Sequence, residues 1–117
     1  MGKLLNTEVE VEWLNYPKEF SRVLDLNLCN LDPWIILEGD QVKTRYQGMK
    51  ERYPQRNLVP FARREDNDDV ACFEKNVPNK VVLIHDFASP GYEHVKVYSN
   101  FWQWFREAVE EMISFTY

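Results

Sequence analysis

A chain of 117 residues with 44% apolar and 15% aromatic side chains has bulk for one packed core and too little length for two, so a single domain over residues 1–117 is expected and disorder is excluded. Fourteen basic residues against nineteen acidic ones leave a formal charge of −5. That balance excludes a phosphate-tracking nucleic-acid surface and suits a basic protein partner, whose encounter an acidic face would speed.

The N-terminal stretch "MGKLLNTEVEVEW" carries one lysine and then alternating acids, with no apolar run long enough for a signal peptide or membrane span. A cytoplasmic location without membrane attachment is therefore expected. Asn6 stands where a myristoylation motif behind Gly2 needs Ser or Thr. Glu8, Glu10 and Glu12 alternate with Val9, Val11 and Trp13, the period of a half-buried edge strand with an acidic outer face. Pro17 then opens a short helix, in which Phe20, Val23, Leu24, Asn27 and Leu28 fall at helical spacing. Asp32-Pro33 breaks that helix, and "WIIL" follows as a compact apolar run suited to a buried strand, closed by Glu38-Gly39-Asp40. From Asp40 to Arg52, Val42, Tyr46 and Met49 recur at helical intervals. Gly48 weakens that helix by about 1 kcal/mol, and Tyr53-Pro54 ends it.

The second half is more regular. "NLVPFAR", "DVACFE", "KVVLIHDF" and "EHVKVY" are strand-like runs joined by short turn-rich connectors, which implies an antiparallel meander. Pro78-Asn79 and Ser89-Pro90-Gly91 supply the turn chemistry, the latter with Pro and Gly where a type II turn needs them. "VVLI" is apolar at every position, so it is expected centrally, with both faces covered. Ser99 or Asn100 caps a final helix carrying Phe101, Phe105, Ala108, Val109 and Met112 as one stripe with Trp102 beside it. The expected fold is α+β, a central antiparallel sheet with N-terminal and C-terminal helices packed on it.

Two cysteines, Cys29 and Cys72, sit in apolar contexts outside any C-x-x-C pair, the pattern of buried reduced thiols rather than of a disulfide or zinc site. The charged run Arg63, Arg64, Glu65, Asp66, Asp68, Asp69 raises the functional question. With Asp66-Asn67 as a two-residue turn, Glu65 faces Asp68, Arg64 faces Asp69 and Phe61 faces Cys72. The Arg64–Asp69 pair then contributes about 0.2 to 1 kcal/mol, and the Glu65–Asp68 pair costs a similar amount. Either the tip is not optimised for stability alone or its loop is longer than two residues. A solvated hairpin end is the first reading and a docking surface the second. A metal-dependent hydrolase using Asp66, Asp68, Asp69 and His85 is a third, although the run lacks the glycine and terminal glutamate of a calcium loop. His85, Asp86 and Ser89 spell a triad, but no nucleophile-elbow glycines surround Ser89, and His85 suits a hydrogen-bonded sheet end. Trp102 and Trp104 cannot point the same way, and Trp104, beside Arg106 and Glu107, is expected to be the partly exposed one.

"LVPFARREDNDDVACF" (58 to 73), "KVVLIHDF" (80 to 87) and "YSNFWQWFREAV" (98 to 109), with "YPKEFSRVL" and "PWIIL" before them, resemble the SUKH superfamily, also called the Smi/Knr cell-wall-regulator-like family. The resemblance runs over roughly residues 14 to 112. It implies a domain without enzymatic activity or cofactor, used in bacteria as an immunity protein that binds and blocks a toxin, often a nuclease, and in fungi as a regulatory adaptor. Expected partner-contact residues are the tip, Arg63, Arg64, Glu65, Asp66, Asp68 and Asp69, together with Asp86, Tyr92, Glu93 and Trp104.

Overall fold

The computed structural model describes residues 12–115. The order of elements is α1 (Lys18–Asp25), β1 (Asn30–Leu31), β2 (Trp34–Ile36), α2 (Asp40–Arg52), β3 (Leu58–Arg64), β4 (Asp69–Glu74), β5 (Val81–His85), β6 (His94–Tyr98) and α3 (Phe101–Ser114). The six strands form one antiparallel sheet in sequence order, β1 to β6. An α+β domain built on a meander is what the short connectors imply. The strand expected over residues 8–13 falls mostly outside the described residues, and Glu12 and Trp13 lie in a turn.

Local chemistry explains the boundaries. Pro17 precedes the first turn of α1 with φ −59°, and Phe20, Val23 and Leu24 are buried along one face. The helix stops earlier than its apolar spacing suggests. Asn27 takes φ +59°, its N–H bonding Leu24 O while the N–H of Leu28 reaches Val23 O, and this paired C-terminal arrangement leaves Leu28 exposed. Asp32-Pro33 forms the turn between β1 and β2, where Leu31 opposes Trp34. Pro78-Asn79 and Pro90-Gly91 both turn the chain with positive φ at the second residue, closed by Lys80 N–H to Val77 O and Tyr92 N–H to Ser89 O.

The middle of the sheet is covered on both faces, as β5 shows residue by residue, whereas β6 is exposed apart from Tyr98. Val81 and Leu83 enter the larger cluster, which includes residues of α1 and α3, whereas Val82 and Ile84 enter a smaller one with Met49 of α2 and the following Tyr53. In strand order β5 sits between β4 and β6, one strand in from the edge. The larger core is aromatic: Phe61 stacks on Phe73 at 4.5 Å and meets Trp104 edge-on at 4.9 Å.

Trp104 corrects the sequence reading, because it is 1% exposed while Trp102 is the half-buried one. Phe101, Trp104 and Ala108 are spaced three and four residues apart on a single helical face, so the covered stripe runs through Trp104, and Met112, four residues on and near the helix end, is exposed. Trp34 of β2 receives its ring at 5.4 Å. The strand register also departs from expectation at one place. Phe61 is the extra residue of a β-bulge, so Cys72 opposes Pro60 rather than Phe61. Phe61 and Ala62 both join the larger core in consequence, and Arg63, opposite Val70, falls on the α2 face. Both cysteines are free thiols, Cys72 buried and Cys29 only half-buried.

Candidate functional site

Asp86 follows β5 and continues its alternation, so the parity that buries Val82 and Ile84 against α2 sends this carboxylate to the same side. It is fully buried. On α2, Arg45, Gly48 and Arg52 are spaced three and four apart and share one face. Arg52 donates Nε to Asp86 Oδ1 at 2.8 Å and Nη2 to Oδ2 at 2.7 Å; Arg45 Nη1 reaches Oδ2 at 2.8 Å. The Phe87 N–H closes on Oδ1 at 2.9 Å. Burial pushes the Asp86 carboxyl up, but the hydrogen bonds from Arg52, Arg45 and Phe87 outweigh it and hold the group below the usual carboxylate range. Gly48 makes the arrangement possible, since a Cβ there would lie 2.9 Å from Arg52 Nη1.

The anchored aspartate fixes an unusual neighbour. Phe87 takes φ +68°, a left-handed conformation that costs a bulky side chain about 1 to 3 kcal/mol, and the residue is 61% exposed. The Arg52 guanidinium lies 4.0 Å from the ring centroid, Arg45 at 5.9 Å. The rest of the 86–93 loop is tied down as firmly. Tyr53 Oη donates to Ala88 O at 2.8 Å, and buried Glu93 accepts from Gly91 N at 2.7 Å and Arg56 at 3.0 Å, Arg56 also gripping Glu74 with two bonds. Burial pushes the Glu93 carboxyl up, but Arg56 and the local N–H groups hold it below its ordinary value. Between these clamps Tyr92 stands 81% exposed.

The charged tip adjoins this loop, joined by the bond from Asp86 N to Asp68 O at 2.9 Å. Residues 65–68 form the connection, four residues rather than a two-residue turn, and Asn67 Oδ1 accepts from Asp69 N at 2.8 Å. Arg64 turns away from Asp69. It forks onto Asp66 at 2.8 and 2.9 Å and reaches Glu111 of α3 at 3.0 Å. The hydrogen bond from Arg64 holds the Asp66 carboxyl below its usual range. Asp69 meets His85 Nδ1 at 2.8 Å, and that hydrogen bond raises the imidazole pKa. Arg63 contacts Glu65 only at 4.0 Å. The nearby Asp32 carboxyl pushes that of Glu65 up.

The residues singled out from sequence therefore divide. Glu65, Asp66, Asp68 and Tyr92 are exposed, Arg63, Arg64 and Asp69 half-buried, and Asp86, Glu93 and Trp104 buried. Asp86 and Glu93 shape the surface from beneath. His85 and Asp86, adjacent in sequence, serve opposite elements, one bonded to Asp69 and the other to α2. Among the described residues no group of three or more His, Cys, Asp or Glu side chains converges to hold a metal ion, and no helix is long and apolar enough to cross a membrane. Phe87, Arg45 and Arg52 are the residues that sequence reasoning missed. Their one signal is the Arg-x-x-Gly-x-x-x-Arg spacing on an otherwise polar helix.

Behind Phe87 an open depression of about 570 Å³ is lined by Arg45, Arg52 and Arg63 with Leu37, Asp40 and Gly48. The joined loops and this depression make one continuous surface. No protein-family model, no curated protein and no solved structure matches the chain, so the geometry carries the functional argument.

Proposed function

We propose that this chain is a protein-binding domain that acts by covering its partner rather than by catalysis, with the joined loops 65–68 and 86–92 as its contact surface. The observation that carries the reading is Phe87, an exposed ring held in a left-handed conformation on Arg52 by a buried carboxylate. A solvated loop has no use for that combination. An aromatic ring and an arginine set rigidly at the centre of a surface are what interface hot spots use, because little freedom is lost when they are covered. Glu65, Asp66 and Asp68 beside it favour a basic partner and would speed its encounter.

The specific form we propose is neutralisation of a toxin domain in the cytoplasm. Its support is the resemblance to the SUKH superfamily in the runs 58–73, 80–87 and 98–109, together with the net charge of −5. The experiment is affinity capture with the wild-type chain, with Phe87→Asp and with Asp66→Lys/Asp68→Lys, followed by an assay of the captured protein for toxicity when expressed alone. A partner that is lost with Phe87→Asp, and whose toxicity is relieved by equimolar wild-type chain, supports the proposal. Capture unchanged by both variants overturns the surface. A captured partner with no toxicity assigns the chain to regulatory scaffolding instead.

A further inference from the structure

We infer that the depression behind Phe87 is a receptor for a carboxylate side chain, carried by an acidic segment of the protein partner. The inference rests on the protein-binding reading above and adds the chemistry that the partner must present.

An arginine carries five N–H donors in a flat fork. Among the described residues Arg52 commits two nitrogens to Asp86, Arg45 commits one, and Arg63 meets only Glu65 at 4.0 Å. Their side chains are 28%, 24% and 31% exposed, and all three line the depression. Two guanidinium groups thus grip one buried carboxylate, a third lines the same depression, and all three keep donors to spare at the surface. Two of them are already immobilised by Asp86, and Gly48 leaves Arg52 room to lie flat, so a ligand would meet pre-set forks.

The shape of the ligand follows from what surrounds the forks. Flat paired donors match a carboxylate, and exposed Phe87 offers apolar contact to the residue carrying it or its neighbour. A long polyanion is disfavoured, because Asp40 lines the same depression and Glu65, Asp66 and Asp68 stand on the adjoining loop. An isolated acidic side chain avoids that repulsion. The partner surface would then be bipolar, basic opposite the tip and acidic opposite the depression, which fixes the docking register as well as the encounter.

The test is a titration of ¹⁵N-labelled protein, followed by amide and arginine Nε resonances at low salt. Three probes are used: the capped peptide Ala-Glu-Leu-Glu-Ala, its Gln-for-Glu counterpart, and inorganic phosphate. The expected result is saturable movement of the Gly48 and Phe87 amides with the Glu peptide, about tenfold weaker with the Gln peptide and in Arg63→Ala or Arg63→Gln. Arg63 lies outside the Asp86 pairing, and an otherwise unchanged spectrum of either variant shows that the fold is retained. Absence of saturable movement overturns the inference, as does phosphate binding as tightly as the Glu peptide. Failure here with partner capture still sensitive to Phe87→Asp removes the pocket alone. Peptide binding alongside capture indifferent to Phe87→Asp removes the function proposed above and leaves the pocket.

Discussion

Asp86 and Arg52 are joined by two parallel hydrogen bonds, 2.8 and 2.7 Å long, with the carboxylate wholly buried and the guanidinium reaching the surface. The pair links the inside of the domain to its candidate contact face. Removing the acid takes the shared acceptor from Arg45, Arg52 and the Phe87 N–H, and because both guanidiniums reach water the loss is about 1 to 3 kcal/mol rather than the cost of a stranded buried charge. Asp86→Ala is therefore expected to lower the urea midpoint by that equivalent. Arg45→Ala, which loses one bond, is expected to cost clearly less than Arg52→Ala, which loses two and the ring contact. Equal effects in equilibrium denaturation would contradict this assignment.

Gly48 offers a sharper measurement. An Ala in an exposed helix interior usually stabilises by about 1 kcal/mol over Gly. Here the new methyl would sit 2.9 Å from Arg52 Nη1, and the far end of that side chain is pinned by Asp86 and by Phe87. Gly48→Ala is expected to destabilise the wild type by about 1 kcal/mol and to stabilise an Arg52→Ala background by a similar amount. The sign reversal across the double-mutant cycle is the observation to seek.

Much of the fold was legible because the signals were local. The runs from Leu58 onward carry period-two or wholly apolar patterns between Pro, Asn and Gly turns, and α2 has its start and stop written into Asp40 and Tyr53-Pro54. Less legible was whatever depended on a neighbour distant in the chain. The Phe61 bulge moves one register step that no residue type announces, and Trp104 is buried because Trp34 and Phe61 wait beneath it. The charged tip was visible as composition, yet its pairings went elsewhere: Arg64 found Glu111 of α3, and Asp69 found His85. Asp86 looked like a surface acid beside a histidine. Only the packing of α2 on that face shows it to be the anchor of Arg45 and Arg52.

The Asp69–His85 contact predicts a pH response of definite sign. The hydrogen bond to Asp69 raises the folded-state pKa of His85 above its ordinary value near 6.5. Its contribution to stability is therefore complete below the unfolded pKa and is lost as pH rises through the folded one. Asp86 and Glu93 work in the opposite direction. Their depressed pKa values contribute stability above the ordinary carboxylate range that is lost as pH falls through the folded values. Titration of the His85 ring proton by NMR should show the raised value, and Asp69→Asn should return it toward 6.5. The imidazole is half exposed, so the effect on overall stability is expected to be small and salt-sensitive, whereas the acid limb should be steep.

Phe87 separates stability from binding more cleanly than any other residue here. Replacing it with glycine removes a left-handed conformation that costs about 1 to 3 kcal/mol. The same change loses a stacking contact with Arg52 worth about 0.5 to 1 kcal/mol at an exposed site and adds glycine's freedom to the unfolded chain, roughly another 1 kcal/mol. These terms oppose each other, so Phe87→Gly is expected to leave stability within about 1 kcal/mol of wild type. If the ring is the centre of an interface, the variant should still lose about 2 kcal/mol or more of partner affinity, roughly thirtyfold, chiefly through faster dissociation. Thermal denaturation and dissociation kinetics on the same preparation distinguish the cases. A variant that unfolds much more readily would make Phe87 a structural residue, and one that keeps both stability and affinity would remove the exposed ring from the contact surface.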